Sequence, residues 1–350
     1  MVFRIGELFC GPGGIAKGID FASADFNDYG VRFEHCWATD YHEETCETYR
    51  RNIFPNNPER VICEDIRKLE YERLKEISEI DGISFGFPCN DFSIVGEQKG
   101  FNGTYGPLYT YAAKALTFFK PKWFLAENVS GLRSSNNGNA FRAILSEFRN
   151  CGYRLYPHLY KFEDYGVPQN RHRVIIIGIR SDISTDFRVP IQTYKMKTAR
   201  EALNNIPADA NNHELTKQSE RVVERLGHIR PGENAFNSKL PKHLELNVKG
   251  AKISQIYKRL DPDKPAYTVT GSGGGGTHIY HWAEPRALTN RERARLQTFP
   301  DDFVFFGSKE SVRRQIGMAV PPEGIRLIIG ALIKSFLGIK YDSIDYNILG

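Results

Sequence analysis

Short apolar segments that alternate with helical patterns dominate the first half of this 350-residue chain. Five strand-like runs occupy residues 3–9, 34–39, 60–63, 81–85 and 123–126, and helical spacing follows several of them. Regular alternation of strands and helices is typical of α/β proteins, in which crossover helices cover a largely parallel sheet. The pattern therefore predicts a long α/β segment.

The composition is that of an ordinary globular protein, with 41% hydrophobic and 25% charged residues. A chain of this length accommodates one large domain and a smaller one. The net charge of +5 permits a nucleic-acid partner without requiring one. Residues 239–259 concentrate the positive charge, because six of them are Lys or Arg and only Glu245 is acidic.

Six cysteines without a C-x-x-C pair argue against a disulfide framework or a zinc site, and favour a reducing compartment. The most apolar short run, residues 174–179, is too short to cross a bilayer. A strand-like pattern begins almost at the first residue, where a targeting signal would lie. We expect a cytoplasmic protein without a membrane association.

A glycine-rich turn, residues 10–14, separates the first strand from the first helix. Glycines there allow tight turning and close ligand approach, while the helix N-terminus offers free N–H groups. Ordinary turn chemistry is the alternative. Asp40 ends the second strand, where doubly wound folds bind ribose hydroxyls, although it equally suits a helix cap. Asp65 follows the third strand in the same way.

Pro88 and Cys89 follow the fourth strand. Proline restricts its own backbone and that of Phe87, which predicts a defined turn that projects the thiol of Cys89. The alternative is a buried structural cysteine. The next strand ends in Glu127, Asn128 and Val129, where the acid is either functional or simply a solvated or capping residue. Residues 96–106 are rich in glycine and polar side chains, and we expect a mobile loop next to the thiol.

Gln169, Arg171 and Arg173 alternate along the chain, so an extended backbone places their side chains on one face. Three long donors on one face suit a reader of phosphates or base edges. Solvated arginines at a strand entry are the alternative.

Three segments describe the predicted domain organisation. Residues 1–181 form a catalytic domain, residues 182–282 an irregular and basic second domain, and residues 283–350 return to the first. Within the insertion, residues 266–270 read as a short strand, and the glycine-rich loop after them suits close approach to a DNA groove or is a disordered surface loop. Thr289 and Glu292 form a capping-box pattern that starts a helix, and residues 325–337 form an amphipathic closing helix.

Six blocks of sequence in fixed order resemble the DNA cytosine-5 methyltransferases of bacterial restriction-modification type. They are residues 7–14, 86–93, 127–129, 169–173, 286–303 and 315–322. Each block is modestly specific, but Pro-Cys, Glu-Asn-Val and Gln-x-Arg-x-Arg in this order rarely arise by chance. The blocks span nearly the whole chain and leave only the insertion uncovered.

The resemblance implies a doubly wound, Rossmann-like sheet that binds S-adenosylmethionine, with the irregular domain recognising the target. The implied cofactor-binding residues are Phe9 stacking near the adenine, Gly11, Gly13 and Gly14 along the methionine part, Asp40 on the ribose, Asp65 and Ile66 near the adenine edge, and Pro88, Leu108, Met318 and Ala319 completing the pocket.

It also implies a covalent mechanism on a cytosine flipped out of duplex DNA. The Cys89 thiolate attacks C6, Glu127 binds the N3 and N4 edge and supplies a proton, and Arg171 and Arg173 hold the base and local backbone. The implied substrate or DNA contacts are Pro88, Ser93, Asn128, Gln169, Arg171, Arg173, Lys258, Arg259, Gly273 and Gly274.

Two positions depart from the pattern of the family. Asn90 stands where most members have glutamine, and Met318 stands where they usually have asparagine. We expect activity despite both. The alternatives are a tRNA cytosine-5 methyltransferase and a catalytically inactive DNA-binding homologue, whereas a nicotinamide dehydrogenase lacks support beyond the glycine turn. We expect a monomer that acts on double-stranded DNA, with a cognate restriction endonuclease acting on the same site without a stable complex.

Overall fold

The protein divides into two compact units in a computed structural model, which describes residues 1–87, 108–193, 196–246, 254–274 and 276–348. The first unit comprises Met1–Phe162, His172–Gln192 and Pro322–Gly350. The second comprises Glu163–Arg171 and Thr193–Pro321. The second unit therefore extends beyond residues 182–282, for which the sequence predicts a recognition domain.

The first unit contains all nine strands of the described residues. They are β1 (Val2–Leu8), β2 (Arg32–Asp40), β3 (Val61–Cys63), β4 (Gly82–Phe85), β5 (Trp123–Val129), β6 (Tyr153–Lys161), β7 (His172–Arg180), β8 (Val189–Pro190) and β9 (Ser343–Ile344). Its helices are α1 (Gly14–Asp25), α2 (Glu43–Ile53), α3 (Tyr71–Ile77), α4 (Tyr109–Phe119), α5 (Asn139–Asn150) and α10 (Pro322–Leu337), the last reached after the second unit.

A seven-stranded sheet in the order β3-β2-β1-β4-β5-β7-β6 forms the centre of this unit, and β8 pairs separately with β9. Strands β1 to β5 pair in parallel, whereas β7 runs antiparallel to both β5 and β6. The strand order reverses beside β1, which is the switch point where open α/β sheets bind ligands.

Helices cover both faces of the sheet. Residues of α3, α4 and α5, such as Leu74, Leu116 and Ile144, share one buried cluster with β4 and β5. Residues of α1 and α2, including Ala16 and Tyr49, form a separate cluster with β2 and β3. The predicted doubly wound α/β fold is confirmed, because apolar residues on both faces of the parallel strands need such cover.

Helix α10 packs against α1 at Gly18. A Cβ at this position would lie 2.5 Å from the Ile325 Cβ and 2.6 Å from the Pro322 carbonyl oxygen. The two helix backbones approach this closely only because residue 18 has no side chain. The return of the chain to the first unit thus depends on one small residue.

Where the structure describes it, the second unit contains four short α-helices and irregular segments. The helices are α6 (Ala199–Leu203), α7 (Glu220–Gly227), α8 (Asn290–Leu296) and α9 (Lys309–Met318). Thr289 caps α8 by accepting a hydrogen bond from the Glu292 amide, and the Glu292 carboxylate accepts one from the Thr289 amide at 2.7 Å, so the predicted capping box is confirmed.

The predicted strand at residues 266–270 is wrong. Only Ala266 makes a ladder bridge, with Gln169. The physical reason is that, after Ala266, this segment forms hydrogen bonds between side chains and backbone in place of a strand ladder. The Val269 amide donates to the Gln169 Oε1 at 2.8 Å, and the Thr268 hydroxyl donates to the Asn170 carbonyl oxygen.

One helical segment among the described residues, Lys309–Leu337, is long and apolar enough to cross a membrane by composition. The protein buries 72% of its most apolar window. Burial of this extent is what the core helix of a folded domain shows.

Replacing Gly18 with alanine is expected to destabilise the protein by about 1–3 kcal/mol, because the added methyl group overpacks the contact between α1 and α10. Gly330→Ala is the matched control, since a Cβ there would meet Phe26 at an ordinary 3.5 Å and alanine favours helix. Urea denaturation of both variants measures the difference. Equal stability of the two variants would contradict the packing argument.

Candidate functional site

The glycine-rich turn after β1 is built from unusual backbone conformations. Phe9, Gly11 and Gly13 have φ values of 51°, 54° and 98°, and Gly13 is the N-cap of α1. No atom of the described residues would lie within 4 Å of a Cβ at Gly11, and its backbone conformation alone favours glycine there. Gly14 is the first residue of α1, whose N-terminal N–H groups follow directly. This turn is a backbone cradle of the kind that binds charged or polar ligand groups.

Asp40 connects the end of β2 to this turn. Its Oδ2 accepts a hydrogen bond from the Gly11 amide at 3.0 Å, and its Oδ1 accepts one from the His42 amide at 3.1 Å. Burial raises the pKa of Asp40, and these backbone donors oppose the rise. The alternative that Asp40 caps α2 is wrong, because the N-cap is His42 and no side chain caps this helix; the Asp40 carboxylate instead joins the glycine turn to the residue before α2.

The other predicted cofactor residues lie in different surroundings. Asp65 is held by Arg67, whose guanidinium lowers the pKa of Asp65 to about 2. Ile66 and Leu108 are buried in the cluster that also contains Leu8. Met318 and Ala319 belong to the second unit, where Met318 is 57% exposed.

Glu127 and Arg173 form an ion pair between β5 and β7. The Arg173 Nε lies 2.8 Å from the Glu127 Oε1, and the two side chains are only 13% and 12% exposed. The antiparallel register pairs Arg173 with Val129, which is two residues beyond Glu127 in β5. The side chains of Glu127 and Arg173 therefore meet from neighbouring strands. An ion pair between two partly buried side chains holds the carboxylate in one orientation.

The segment that leads to the predicted nucleophile lies against this pair. A Cβ at Gly86 would lie 3.2 Å from the Glu127 Oε2, and the Asn128 side chain donates to the Phe87 carbonyl oxygen at 3.2 Å. Asn128 is buried, and its Oδ1 accepts from the Val129 amide. Gly86 and Phe87 therefore lie beside the side chains of Glu127 and Asn128. Pro88, Cys89 and Ser93 lie outside the described residues, as does the predicted loop at 96–106.

The predicted face of three long donors is divided. Arg173 contacts Glu127 in the first unit, whereas Gln169 and Arg171 are fully buried in the second. The Arg171 guanidinium donates to the carbonyl oxygens of Val269, Gly317 and Ala319. Gln169 donates to Leu296 and Gln297. These contacts favour a structural role for Gln169 and Arg171 and hold the turn that contains Met318.

The predicted DNA contacts in the insertion also differ from one another. The Arg259 guanidinium is buried and donates to five carbonyl oxygens, those of Leu226, Ile229, His281, Trp282 and Glu284. This arrangement favours a structural role. The Lys258 ammonium lies 4.9 Å from the Tyr267 ring centroid. Gly273 is partly exposed and Gly274 is exposed, which keeps the loop accessible.

Sequence reasoning missed the buried pair of Glu7 and Tyr49 beneath the glycine turn. The Tyr49 hydroxyl donates to the Glu7 Oε2 at 2.7 Å. Burial raises the pKa of Glu7 to about 8, although the Tyr49 hydrogen bond opposes the rise. The signal in the sequence was a carboxylate near the end of a largely apolar strand, shortly before a glycine-rich turn.

Comparison with known proteins gives consistent results. Residues 3–334 match the family model described as C-5 cytosine-specific DNA methylase. The Type II methyltransferase M.BbvI of Brevibacillus brevis is 58% identical over 99% of this chain and 94% of its own length. The Type II methyltransferase M.NgoFVII of Neisseria gonorrhoeae is 40% identical over 98% of this chain and 90% of its own.

Solved structures share the fold at lower identity. An Escherichia coli prophage protein described as a DNA modification methyltransferase matches with a TM-score of 0.76 at 24% identity, over 96% of this chain and 99% of its own. The Dnmt2 methyltransferase of S. pombe matches with a TM-score of 0.63 at 17% identity, over 97% and 100% of the two chains.

Removing the Glu7 carboxylate is expected to flatten the pH dependence of stability. The folded pKa of about 8 exceeds the ordinary 4.5, so stability from neutral Glu7 is fully present below pH 4.5 and is lost as the pH rises to about 8. Glu7→Gln keeps an acceptor for Tyr49 and cannot ionise. Its urea midpoint, relative to wild type, should increase between pH 5 and pH 8. Exposed Glu72→Gln is the control, and a constant difference for Glu7→Gln would refute the assignment.

The ion pair is expected to show energetic coupling in a double-mutant cycle of Glu127→Gln and Arg173→Met. Arg173→Met alone should cost about 3 kcal/mol, because it leaves a buried carboxylate without its arginine. The double variant should recover about 1–3 kcal/mol of the summed losses. Urea unfolding of all four proteins measures the cycle, and additive losses would show that the contact carries no energy.

Proposed function

Because the chain belongs to the C-5 cytosine-specific DNA methylase family, we propose that it is a site-specific enzyme that methylates C5 of a cytosine in duplex DNA. S-adenosylmethionine is the proposed methyl donor. The observation that carries the proposal is the approach of Gly86 to the carboxylate of the Glu127–Arg173 ion pair, together with the hydrogen bond from Asn128 to Phe87, since Gly86 and Phe87 directly precede Pro88 and Cys89 in the sequence. A thiol and a positioned carboxyl group are what this reaction needs.

The cofactor fits the edge of the sheet beside β1. The turn containing Phe9, Gly11 and Gly13 offers a backbone cradle next to a helix N-terminus, and the Asp40 carboxylate lies against it at the end of β2. Asp40 suits ribose hydroxyls, and Ile66 and Leu108 suit the apolar faces of the adenine. When bound, S-adenosylmethionine supplies an electrophilic methyl group. Gly14, Asp65, Pro88, Met318 and Ala319 complete the proposed set.

The chemistry requires covalent help because C5 of cytosine is a weak nucleophile. The Cys89 thiolate adds to C6 while N3 takes up negative charge, which the carboxyl group of Glu127 neutralises by donating a proton. C5 would then take the methyl group as the bond between that carbon and the cofactor sulfur breaks, with S-adenosylhomocysteine as the leaving group. A base removes the C5 proton, the electrons restore the C5–C6 double bond, the thiolate leaves, and the N3 proton returns to Glu127. Arg173 holds the Glu127 side chain in one orientation through the ion pair, and Glu127 must take up a proton before it can donate one to N3.

The target cytosine must leave the helix, because its C6 is inaccessible within stacked base pairs. We propose that Ser93 and the loop after it close over the flipped base, and that Asn128 anchors the start of that loop through Phe87. The second unit would read the surrounding sequence, with Lys258, Gly273 and Gly274 as the accessible contacts. Gln169, Arg171 and Arg259 would support that surface from the interior.

The biological role follows by analogy with the relatives. M.BbvI and M.NgoFVII are both Type II methyltransferases, so we propose that this chain is the modification enzyme of a restriction-modification system. The cognate endonuclease would act on the same site without a stable complex. The enzyme would act as a monomer in the bacterial cytoplasm.

Wild-type protein is expected to transfer label from S-adenosyl-[methyl-³H]methionine to duplex DNA, and Cys89→Ser should lose at least about 10³-fold in rate because nucleophilic addition is gone. A duplex carrying 5-fluorocytosine at the target should trap wild type in a complex stable to SDS, since fluorine cannot leave as a proton does. The sequence context of the target comes from bisulfite sequencing of plasmid from expressing cells.

The controls separate the alternatives. Cys151→Ser removes a partly exposed thiol elsewhere and should leave both methylation and trapping intact. Labelling of tRNA without labelling of duplex DNA would show the tRNA enzyme instead. Full activity of Cys89→Ser would refute the covalent mechanism, and absence of labelling on any nucleic acid would favour the inactive homologue.

A further inference from the structure

Arg293 in α8 is a buried arginine without the partners that a structural arginine normally has. It is 1% exposed, and neither Nη1 nor Nη2 has a hydrogen-bond partner in the described part of the chain. Arg171, Arg259 and Arg291 are also buried, and each donates to at least three carbonyl oxygens. Burial of unsatisfied charge is costly, so Arg293 stands apart from the arginines that hold the fold.

A second arginine adds to the positive charge at this place. Arg313 in α9 is 13% exposed, and its buried Nε also lacks a partner among the described residues. Its ion pair is a distant one, 3.9 Å to Glu310, whose side chain is 84% exposed. Burial, reinforced by the charge of Arg313, lowers the pKa of Arg293 to about 10, which leaves Arg293 protonated at neutral pH.

The surrounding groups do not neutralise the two charges. Burial and the two arginines lower the pKa of His278 to about 4, so its imidazole is neutral. Burial raises the pKa of Tyr267 and Tyr280, so both hydroxyls stay protonated. Glu292 attracts Arg293, but its carboxylate already accepts hydrogen bonds from Arg286 and the Thr289 amide.

The glycine-rich loop lies directly over Arg313. A Cβ at Gly273 would lie 2.5 Å from the Arg313 Nε and 2.7 Å from its Cζ, so the loop backbone rests against the guanidinium. The amides of Gly273 and Gly274 donate no hydrogen bond within the described residues. Gly273 is partly exposed and Gly274 is exposed. Free amides on the surface above a buried cation are the elements of an anion site.

We propose that Arg313 and the amides of Gly273 and Gly274 bind a phosphate group at this loop, and that the buried charge of Arg293 strengthens the site without contacting the phosphate. The loop amides and Arg313 would donate to the phosphate oxygens, and Arg293 would add its charge through the low-dielectric interior. The ligand chemistry is a phosphate oxyanion, whether free phosphate or a backbone phosphate of DNA. The DNA form rests on the proposed function, and it positions the duplex without reading its sequence.

Inorganic phosphate tests the site without DNA. At constant ionic strength, replacing chloride with phosphate should raise the melting temperature of wild type more than that of Arg293→Met or Arg313→Met. Without phosphate, Arg293→Met should melt higher than wild type, because the unpaired charge is gone. Arg200→Gln, which removes an exposed arginine paired with Asp263, matches the change in net charge and should respond to phosphate as wild type does.

Duplex binding tests the DNA form. Arg293→Met and Arg313→Met should each weaken binding roughly threefold to tenfold for every sequence tested, and should reduce the salt slope by about one. Arg293→Lys should restore part of the affinity, and Arg200→Gln should keep the wild-type slope. Equal phosphate stabilisation of wild type and both methionine variants would overturn the proposal, as would a lower melting temperature of Arg293→Met without phosphate.

The arms also distinguish this proposal from the proposed function. Loss of the phosphate response in the variants of a protein that methylates no duplex would leave the anion site in place and remove only its DNA ligand. Normal methylation combined with an unchanged salt slope in both methionine variants would give the opposite result. The proposed methyltransferase function would be supported, and the proposed binding of a DNA phosphate would be refuted.

Discussion

The parallel pairing of β1 between β2 and β4 is the constraint on which the rest of the first unit depends. Because Leu8 pairs with both Thr39 and Phe85, the three strands end at the same level. The glycine turn, Asp40 and the segment at Gly86 must then lie along one edge of the sheet. Backbone hydrogen bonding between the strands is therefore sufficient to bring together residues that are 75 positions apart in the sequence, such as Gly11 and Gly86.

The antiparallel strand β7 adds what the parallel strands cannot supply. It enters the sheet beside β5 and brings Arg173 against Glu127, so that a carboxylate at the sheet edge is held by a buried cation. Asn128 points its amide at Phe87 and ties the end of β5 to the end of β4. These two contacts join the ends of β4, β5 and β7 just before Pro88 and Cys89 in the sequence.

Arginine serves several physical purposes in this chain. Arg171, Arg259 and Arg291 are fully or almost fully buried, and each organises irregular backbone by donating to several carbonyl oxygens. The described part of the second unit has four short α-helices and three isolated ladder bridges, so its irregular backbone needs hydrogen-bond donors other than neighbouring strands. Arg173 pairs with a carboxylate. Among the described residues, the Nη atoms of Arg293 contact neither backbone carbonyls nor a carboxylate. The same residue type therefore carries structural, positioning and electrostatic roles, which its position in a motif does not distinguish.

The sequence by itself determined the alternation of strands and helices, the glycine turn, the capping box at Thr289 and the family, because these depend on local patterns and ordered motifs. It did not determine the fate of residues 266–270, whose β-like composition was overruled by the side-chain contacts of Gln169 and Thr268. Nor did it separate Arg173 from Arg171 and Arg259, since burial and partners are properties of the assembled chain. The Glu7–Tyr49 pair and the unsatisfied charge of Arg293 likewise exist only in the tertiary structure, because each arises where residues distant in sequence exclude water together.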